Sequence, residues 1–208
     1  SCFCCQLHYP KLKLMMRLII MGEYEFKEDW FSHCKHLFDK YLCQFKGQPV
    51  NFLEIGSFEA RSACYMLDSI LSYNNLATLT CVDPHLDSIV KYRFKKNLAT
   101  YLSSGQCIYH NTTSLNYFLN VKNSTANHFD FIYIDGAHDQ QSVLTDVVMS
   151  FVFLKVDGII ALDDYEWEDK NYPGVRPKEA IDGFLESFKH KIEVVHKGYQ
   201  VWLIKKDN

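Results

Sequence analysis

Three patterns that would indicate common classes of protein are missing from this 208-residue sequence. No apolar run approaches the roughly 20 residues that a membrane-spanning helix needs: the stretch at residues 14–22 is short, and Arg17 interrupts it. CxxC pairs do not repeat at the spacing of a zinc site. The 22 basic residues are dispersed among 25 acidic ones, so neither a nucleic-acid partner nor a membrane partner is expected.

The cysteines do not indicate a disulfide framework. Three of them fall inside apolar patterns: Cys34, Cys64 and Cys81. A free cysteine in such a pattern behaves as a small buried hydrophobe, which favours a reducing, cytoplasmic setting. Three others lie near the start of the chain: Cys2, Cys4 and Cys5. No core pattern includes residues 1–22, so we expect a poorly ordered extension there and one domain over residues 23–208.

Strand-like and helix-like segments alternate along the chain. Apolar runs predict five strands, at residues 50–55, 77–83, 107–110, 129–135 and 158–164. Helical spacing predicts helices at residues 24–44, 59–73, 86–102, 112–120 and 139–154. A further helix follows Pro177, and two β-rich runs around Lys197 and Gly198 predict a hairpin. The pattern predicts an α/β fold: a Rossmann-like, doubly wound, mostly parallel seven-stranded sheet with an antiparallel C-terminal strand.

Acidic residues follow four of the five strands that are predicted to be parallel. They are Glu54, Asp83, Asp135, Asp163 and Asp164. Ligands of open α/β sheets bind beyond the carboxyl ends of the strands, so these side chains should converge on one rim. A single acid there would mean little, because turns favour aspartate. Acids after four strands predict a ligand site.

The segment after the first strand has features of a nucleoside-binding loop. Gly56 permits a sharp turn and the close approach of a ligand. Ser57 and the amides ahead of the next helix offer hydrogen-bond donors. Asp83 ends the second strand, where a carboxylate can bind ribose hydroxyls. The alternative is a plain loop glycine and a capping aspartate, and these residues alone do not decide between the two.

A nicotinamide dinucleotide fits this loop poorly. Its G-x-G-x-x-G fingerprint requires glycines where this sequence has Phe58 and Arg61, and the bulky Phe58 would obstruct a pyrophosphate. A ligand with one adenosine and no phosphate needs less room. S-adenosylmethionine is such a ligand.

The chain resembles the class I S-adenosylmethionine-dependent methyltransferases, and more narrowly the metal-dependent O-methyltransferases of the macrolide-sugar and catechol type. Five segments carry the resemblance, in order: LEIGSFEARS, CVDPH, RFKKNL, FDFIYIDGAHDQQSVLTDV and GIIALDDY. Two positions depart from the family pattern, because Ala60 and Asp157 stand where the family has glycines. A negative φ at Ala60 would make that change mild, and aspartate tolerates turns.

The resemblance implies how the cofactor would be held. It gives contacts with the methionine part to Glu54, Gly56 and Ser57. It implies that Asp83 would bind the ribose hydroxyls, that Asn111 and Thr112 would contact the edge of the adenine, and that Asp135 would face the sulfonium. His85 lies on the same rim, and we expect it to line the cofactor.

The resemblance also implies a metal site. Asp135, Asp163 and Asp164 look like the carboxylates that hold a divalent cation in these enzymes, with Mg²⁺ the expected ion. Three carboxylates on one rim repel one another unless a cation lies between them, although Asp163 and Asp164 could instead cap a loop. His138 lies on this rim beside Asp135, and it is predicted to accept the proton of an acceptor hydroxyl.

We therefore expect metal-assisted O-methylation of a small hydroxylated molecule or sugar. The alternatives are a protein that binds S-adenosylmethionine without methyl transfer and, less favoured, a nicotinamide-dependent oxidoreductase. Tyr165, Trp167 and Tyr172 follow the paired acids, as a substrate wall or as packing. The helix over residues 24–44 is open to interpretation as a lid or as a homo-oligomer face.

Overall fold

The computed structural model describes residues 24–121 and 127–208. The predicted extension at residues 1–22, with its three cysteines, lies outside these described residues. Within them, seven strands form one sheet. They are β1 (Asn51–Ile55), β2 (Thr78–Val82), β3 (Cys107–His110), β4 (Phe129–Ile134), β5 (Leu154–Leu162), β6 (Ile192–Lys197) and β7 (Val201–Lys205).

The strand order is β3-β2-β1-β4-β5-β7-β6. Strands β1 to β5 pair in parallel, whereas β7 runs antiparallel to both β5 and β6. The predicted Rossmann-like sheet and its C-terminal hairpin are confirmed. The order reverses between β1 and β4, which are neighbours at the centre, so a ligand cleft is expected above their carboxyl ends.

Seven α-helices accompany the strands within the described residues. They are α1 (Lys35–Leu42), α2 (Arg61–Ser69), α3 (Ser88–Asn97), α4 (Ala99–Ser104), α5 (Ser114–Asn120), α6 (Gln140–Phe153) and α7 (Lys178–Phe188). Side-chain oxygens of Asp87, Thr113 and Asp139 accept hydrogen bonds from the first-turn amides of α3, α5 and α6. These caps explain why the three helices begin where they do.

Alternate residues of the central strands face two different helical layers. Phe52 and Phe131 pack in one apolar cluster with α1, α2, α3 and α4. Leu53 and Ile132 pack in a second cluster with α5, α6 and α7. Because both faces of these strands are covered, their sequences are continuous apolar runs rather than alternating ones.

The helix predicted over residues 24–44 is wrong over its first half. Only Lys35–Leu42 is α-helical. Tyr24 and Phe26 lie in a segment without helix or strand, with ring centroids 5.5 Å apart, and the Tyr24 hydroxyl donates to Asp68 on α2 at 2.9 Å. These aromatic rings have helical spacing but pack against other elements, so their periodicity did not report a helix.

Two further boundaries differ from the expectation. The helix predicted at residues 86–102 divides at Leu98 into α3 and α4. Strand β5 begins at Leu154, earlier than predicted, because the pairing of β4 with β5 shifts in register between Phe129 and Phe131. The five cysteines in the described part of the chain are free, and none of the helices described is long and apolar enough to cross a membrane.

Candidate active site

A cleft of about 1050 Å³ opens at the carboxyl ends of the central strands. Its acidic lining residues are Glu28, Asp29, Glu59, Asp83, Asp135, Asp146, Asp163 and Asp164. Among the described residues that line it, Arg61 is the one lysine or arginine. The convergence of acids on one rim, expected from the sequence, is therefore present for the ends of β2, β4 and β5.

Gly56 forms the tight exit from β1. Its φ is +80°, and a Cβ added there would lie 1.9 Å from the carbonyl oxygen of Asp135. The backbone on either side is held in place, because the Gly56 amide donates to the Val82 carbonyl at 3.0 Å and the Asp135 amide donates to the Ile55 carbonyl at 2.8 Å. Only glycine fits this turn without moving β4.

Asp83 organises the loop that follows Gly56. One of its carboxylate oxygens accepts hydrogen bonds from the amides of Ser57 and Phe58, at 2.8 and 3.0 Å, and the other accepts from the His85 amide at 2.8 Å. The Ser57 hydroxyl is buried and has no hydrogen-bond partner among the described residues. A buried hydroxyl of this kind is a ready contact for a ligand in the cleft.

The two positions that depart from the family pattern both adopt left-handed backbone. Ala60 has a φ of +69°, so the negative φ considered from the sequence is wrong. An alanine in this conformation costs about 1–2 kcal/mol. Asp157 has a φ of +63° at the other glycine position, which aspartate adopts more easily than most residues.

Glu54 lies fully buried beneath the cleft and is not among the residues that line it. Burial raises the pKa of this carboxyl to about 7, and the Ser62 hydroxyl, which donates to it at 2.5 Å, opposes that rise. The Cys81 thiol also donates to Glu54, at 3.7 Å. A direct contact of Glu54 with the methionine part of a cofactor stays a prediction.

The structure does not bring His85, Asn111 or Thr112 to the surface of the cleft. The His85 ring is buried, with its nitrogens 2.7 Å from the Tyr109 hydroxyl and 2.6 Å from the Phe58 carbonyl oxygen, so it supports the loop after β1. Beyond β3 the wall is formed instead by Thr113–Leu115. The cofactor contacts predicted for His85, Asn111 and Thr112 remain predictions.

Asp135, His138 and Asp164 meet at the ends of β4 and β5. One ligand atom from each lies within 4.8 Å of the others. The Nε2 atom of His138 is 2.8 Å from Asp164 Oδ2, and this hydrogen bond raises the pKa of His138 above its usual value. Burial and then the charge of Asp163 raise the pKa of Asp135 well above its usual range.

Asp163 lies beside this cluster with both oxygens already engaged. One accepts from the Asp164 amide at 2.7 Å, and the other accepts from the Gln200 side chain at 2.9 Å and from the Tyr133 hydroxyl. Asp164 itself has a φ of +57°, and its other oxygen accepts from the Tyr199 hydroxyl at 2.9 Å. Two carboxylates and an imidazole at this spacing fit a divalent cation, and their uncompensated charge favours one.

Aromatic rings border the acid cluster. Trp167 packs against His138 with ring centroids 4.5 Å apart and lines the cleft, as one of the expected wall residues. The other two lie elsewhere: Tyr165 is buried, and Tyr172 is 70% exposed. Tyr199 lines the cleft instead. It lies far along the chain in the turn of the hairpin, and no motif in the sequence marked it.

Comparison with known proteins gives a family match over residues 53–165, to the family described as a methyltransferase domain. A curated relative, the uncharacterized protein R132 of Acanthamoeba polyphaga mimivirus, is 24% identical over 179 residues. That alignment covers 81% of this chain and 79% of the relative.

Two solved structures share the architecture. An O-methyltransferase from Bacillus cereus, in complex with SAH, is 15% identical with a TM-score of 0.63, over 94% of this chain and 90% of that one. The MycE methyltransferase from the mycinamycin biosynthetic pathway, in complex with Mg and SAH, is 13% identical with a TM-score of 0.60. That likeness covers 93% of this chain and 54% of MycE. At these identities the likeness shows the fold.

Proposed function

The chain belongs to the family of methyltransferase domains, and on that premise we propose that it transfers the methyl group of S-adenosylmethionine to a hydroxyl of a small molecule, assisted by a divalent cation. The family match confirms the methyltransferase expected from the sequence motifs. The cytoplasmic setting and the small hydroxylated acceptor stay predictions from the sequence.

The observation that carries the proposal is the meeting of Asp135, His138 and Asp164 in the cleft. The ring nitrogen of His138 that Asp164 does not bind would receive the proton of the acceptor hydroxyl, and Asp164, which lies 2.8 Å from Nε2, would stabilise the imidazolium that forms. Removing that proton leaves the oxygen with the electron pair that forms the new bond to the methyl carbon, while the bond from that carbon to the sulfonium sulfur breaks, its electron pair stays on sulfur and S-adenosylhomocysteine leaves. Trp167 packs against one side of the His138 ring.

Asp135 and Asp164 would hold the cation. When bound, the cation would lower the pKa of a coordinated hydroxyl and offset the repulsion between the carboxylates. Asp163 is not part of the three-residue cluster and already accepts from the Asp164 amide, Gln200 and Tyr133, so its direct contact with the metal stays a prediction. The Mg in the complex of the MycE neighbour supports a divalent cation as the ligand of this cluster.

The cofactor would lie over the end of β1. The missing side chain at Gly56 allows close approach, the unpartnered hydroxyl of Ser57 offers a hydrogen bond, and Asp83 would accept from the ribose hydroxyls. The SAH in the Bacillus cereus neighbour supports this ligand class.

The test measures binding and transfer separately. S-adenosylhomocysteine binding to the full chain is measured by calorimetry with Mg²⁺ and with a chelator, and we expect the affinity to survive chelation because the cofactor contacts lie at β1 and β2. Methyl transfer from labelled S-adenosylmethionine to sugar and phenol hydroxyls should require Mg²⁺. Transfer that persists in excess chelator would exclude a role for the metal. Binding of the cofactor without transfer to any acceptor would indicate a cofactor-binding protein that is not an enzyme.

His138→Ala sharpens the assignment of the base. Turnover should fall by about 10²- to 10⁴-fold with little change in the affinity for S-adenosylhomocysteine. The matched control is His128→Ala, which changes an exposed histidine outside the cleft and should leave turnover intact. Equal turnover in the two variants would exclude His138 as the base.

A further inference from the structure

Asp146 is a buried carboxylate in α6 that the proposed reaction does not use. It is 2% exposed, yet it lines the cleft. Burial raises its pKa to about 6, and the side chain that opposes this rise by hydrogen bonding is Ser114. A carboxylate can accept about four hydrogen bonds, so one hydroxyl leaves most of this capacity free for a donor that enters the cleft.

Gly136 keeps the space between the cleft and Asp146 open. A Cβ on Gly136 would lie 3.6 Å from Asp146 Oδ2 and 3.3 Å from the Ile55 side chain. Gly136 follows the end of β4, and Ser114 begins α5 after β3, so the Asp146 carboxylate lies between the loops that follow these two strands. A side chain at position 136 would contact the Asp146 carboxylate, so glycine leaves this carboxylate open to a group in the cleft.

The direction of a bound nucleoside decides what would reach this carboxylate. Its ribose would lie at Asp83, after β2, and its reacting end would lie at Asp135, after β4. The base therefore extends to the remaining wall, which combines the start of α5 with the cleft-facing side of α6. The lining residues of that wall are Thr113, Ser114, Leu115, Gln141, Ser142, Thr145 and Asp146. Among them, Asp146 is the one with a carboxylate.

We propose that Asp146 selects the purine by accepting a hydrogen bond from the exocyclic amino group of adenine. The inference rests on the proposed function for its ligand class. The exocyclic amino group is the N–H donor that adenine presents in a nucleoside, whereas its ring nitrogens are acceptors that a carboxylate would repel. Asp146 thus determines which nucleoside binds and takes no part in the transfer of the methyl group.

The experiment compares two ligands that differ at this group. S-inosylhomocysteine carries a carbonyl oxygen where S-adenosylhomocysteine carries the amino group. The wild-type chain should bind the adenosyl ligand about 10- to 100-fold more tightly, the value of one hydrogen bond to a charged group. In Asp146→Asn the side-chain amide can donate to the carbonyl, so the ratio should fall to about one or invert.

The matched control is Ser150→Ala, one turn further along α6. The Ser150 hydroxyl is buried and has no partner among the described residues, so its removal tests the packing of the helix without touching the cleft. The ratio of the two affinities should keep its wild-type value in this variant. A ratio that collapses in Ser150→Ala as well would assign the effect to helix packing and overturn the role of Asp146.

Two other results overturn the inference. Equal affinities of the wild type for the two ligands would overturn it, even if Asp146→Asn fails to fold. A folded Asp146→Asn variant that keeps the wild-type ratio of affinities would also overturn it. Failure of the proposed function gives a different result, because a chain that prefers the adenosyl ligand but methylates no acceptor keeps the role of Asp146. Conversely, a chain that transfers methyl groups but binds both ligands equally would exclude the role of Asp146 and keep the proposed function.

Discussion

The two halves of the cleft treat their carboxylates differently. In the half formed by β1 and β2, partners within the chain compensate the acids. Asp83 accepts three backbone amides, and Glu59 pairs with Arg93 at 2.7 Å. The acids of this half need no cation, and the half would recognise a nucleoside by shape and hydrogen bonds, including one to the unpartnered hydroxyl of Ser57.

In the half formed by β4 and β5, the acids face one another. Burial and mutual repulsion raise the pKa values of Asp135 and Asp163, and Asp164 relies on His138 and Tyr199 for its hydrogen bonds. The difference indicates a division of labour, because the first half needs only to bind, whereas the second gains stability from any cation placed within it.

Gly56→Ala should have the largest effect, because it breaks the contact that joins the two halves. The added Cβ would meet the Asp135 carbonyl at 1.9 Å, and the φ of +80° would be strained as well. We expect the free energy of unfolding to fall by about 4 kcal/mol or more, measured by urea denaturation.

Gly47→Ala is the matched control for Gly56→Ala. It has the same left-handed φ, at +79°, but a Cβ there meets nothing within 4 Å. Only the backbone strain of about 1–2 kcal/mol should remain. Similar losses in the two variants would show that the halves are not in tight contact at Gly56.

Glu54→Gln tests whether the buried Glu54 carboxyl of the binding half is protonated in the folded protein below pH 7. The folded pKa of about 7 lies above the ordinary value of 4.5, so between these pH values the folded state holds a proton that the unfolded state has released. The unfolding free energy of the wild type should therefore fall as pH rises from about 4.5 to 7, by on the order of 3 kcal/mol relative to Glu54→Gln.

The measurement is urea unfolding of both proteins at pH 5 and at pH 7.5. Glu186→Gln serves as the control, since the side chain of Glu186 is 74% exposed and its removal should leave the wild-type slope. Parallel profiles for the wild type and Glu54→Gln would mean that Glu54 is already ionised at low pH.

Asp83→Ala removes the carboxylate that accepts three backbone amides in the binding half. Affinity for S-adenosylhomocysteine should fall by about 1–3 kcal/mol, the range for a lost hydrogen bond to a charged group. Asp87→Ala is the control: Asp87 also accepts two backbone amides, at 2.7 and 3.2 Å, but it caps α3 outside the cleft. It should lose about 1 kcal/mol of stability and no affinity. Unchanged affinity in Asp83→Ala would exclude the ribose contact.

Ala60→Gly should have the smallest effect, and it should be favourable. Glycine relieves the left-handed strain at φ +69° but has more freedom in the unfolded chain, so we expect a net gain of about 0.5–1 kcal/mol by thermal denaturation. Ala63→Gly, inside α2, should instead lose about 1 kcal/mol. A loss in both variants would show that the loop does not store strain.

The sequence predicted the acids at the strand ends of both halves, but not the contacts that reach them from distant segments. Strand ends and their acids are local signals, because an apolar run followed by Asp83 or Asp135 requires no knowledge of the rest of the fold. Hydrogen bonds from Tyr199 and Gln200 come from a distant hairpin, and no local pattern reports them. The sign of a φ, as at Ala60, depends on how the flanking elements are fixed in space.

The bond from Gln200 to Asp163 also sets an order of events during synthesis. Gln200 lies 37 residues after Asp163, and its own oxygen accepts from the Trp202 indole at 2.9 Å. A chain leaving the ribosome presents the loop after β1, with Asp83 and Arg93, long before the hairpin has emerged. Such a nascent chain, or one truncated before residue 200, would contain the groups for holding a nucleoside but lack the support that orients Asp163. The orientation of Asp163 would therefore be among the last features of the cleft to form.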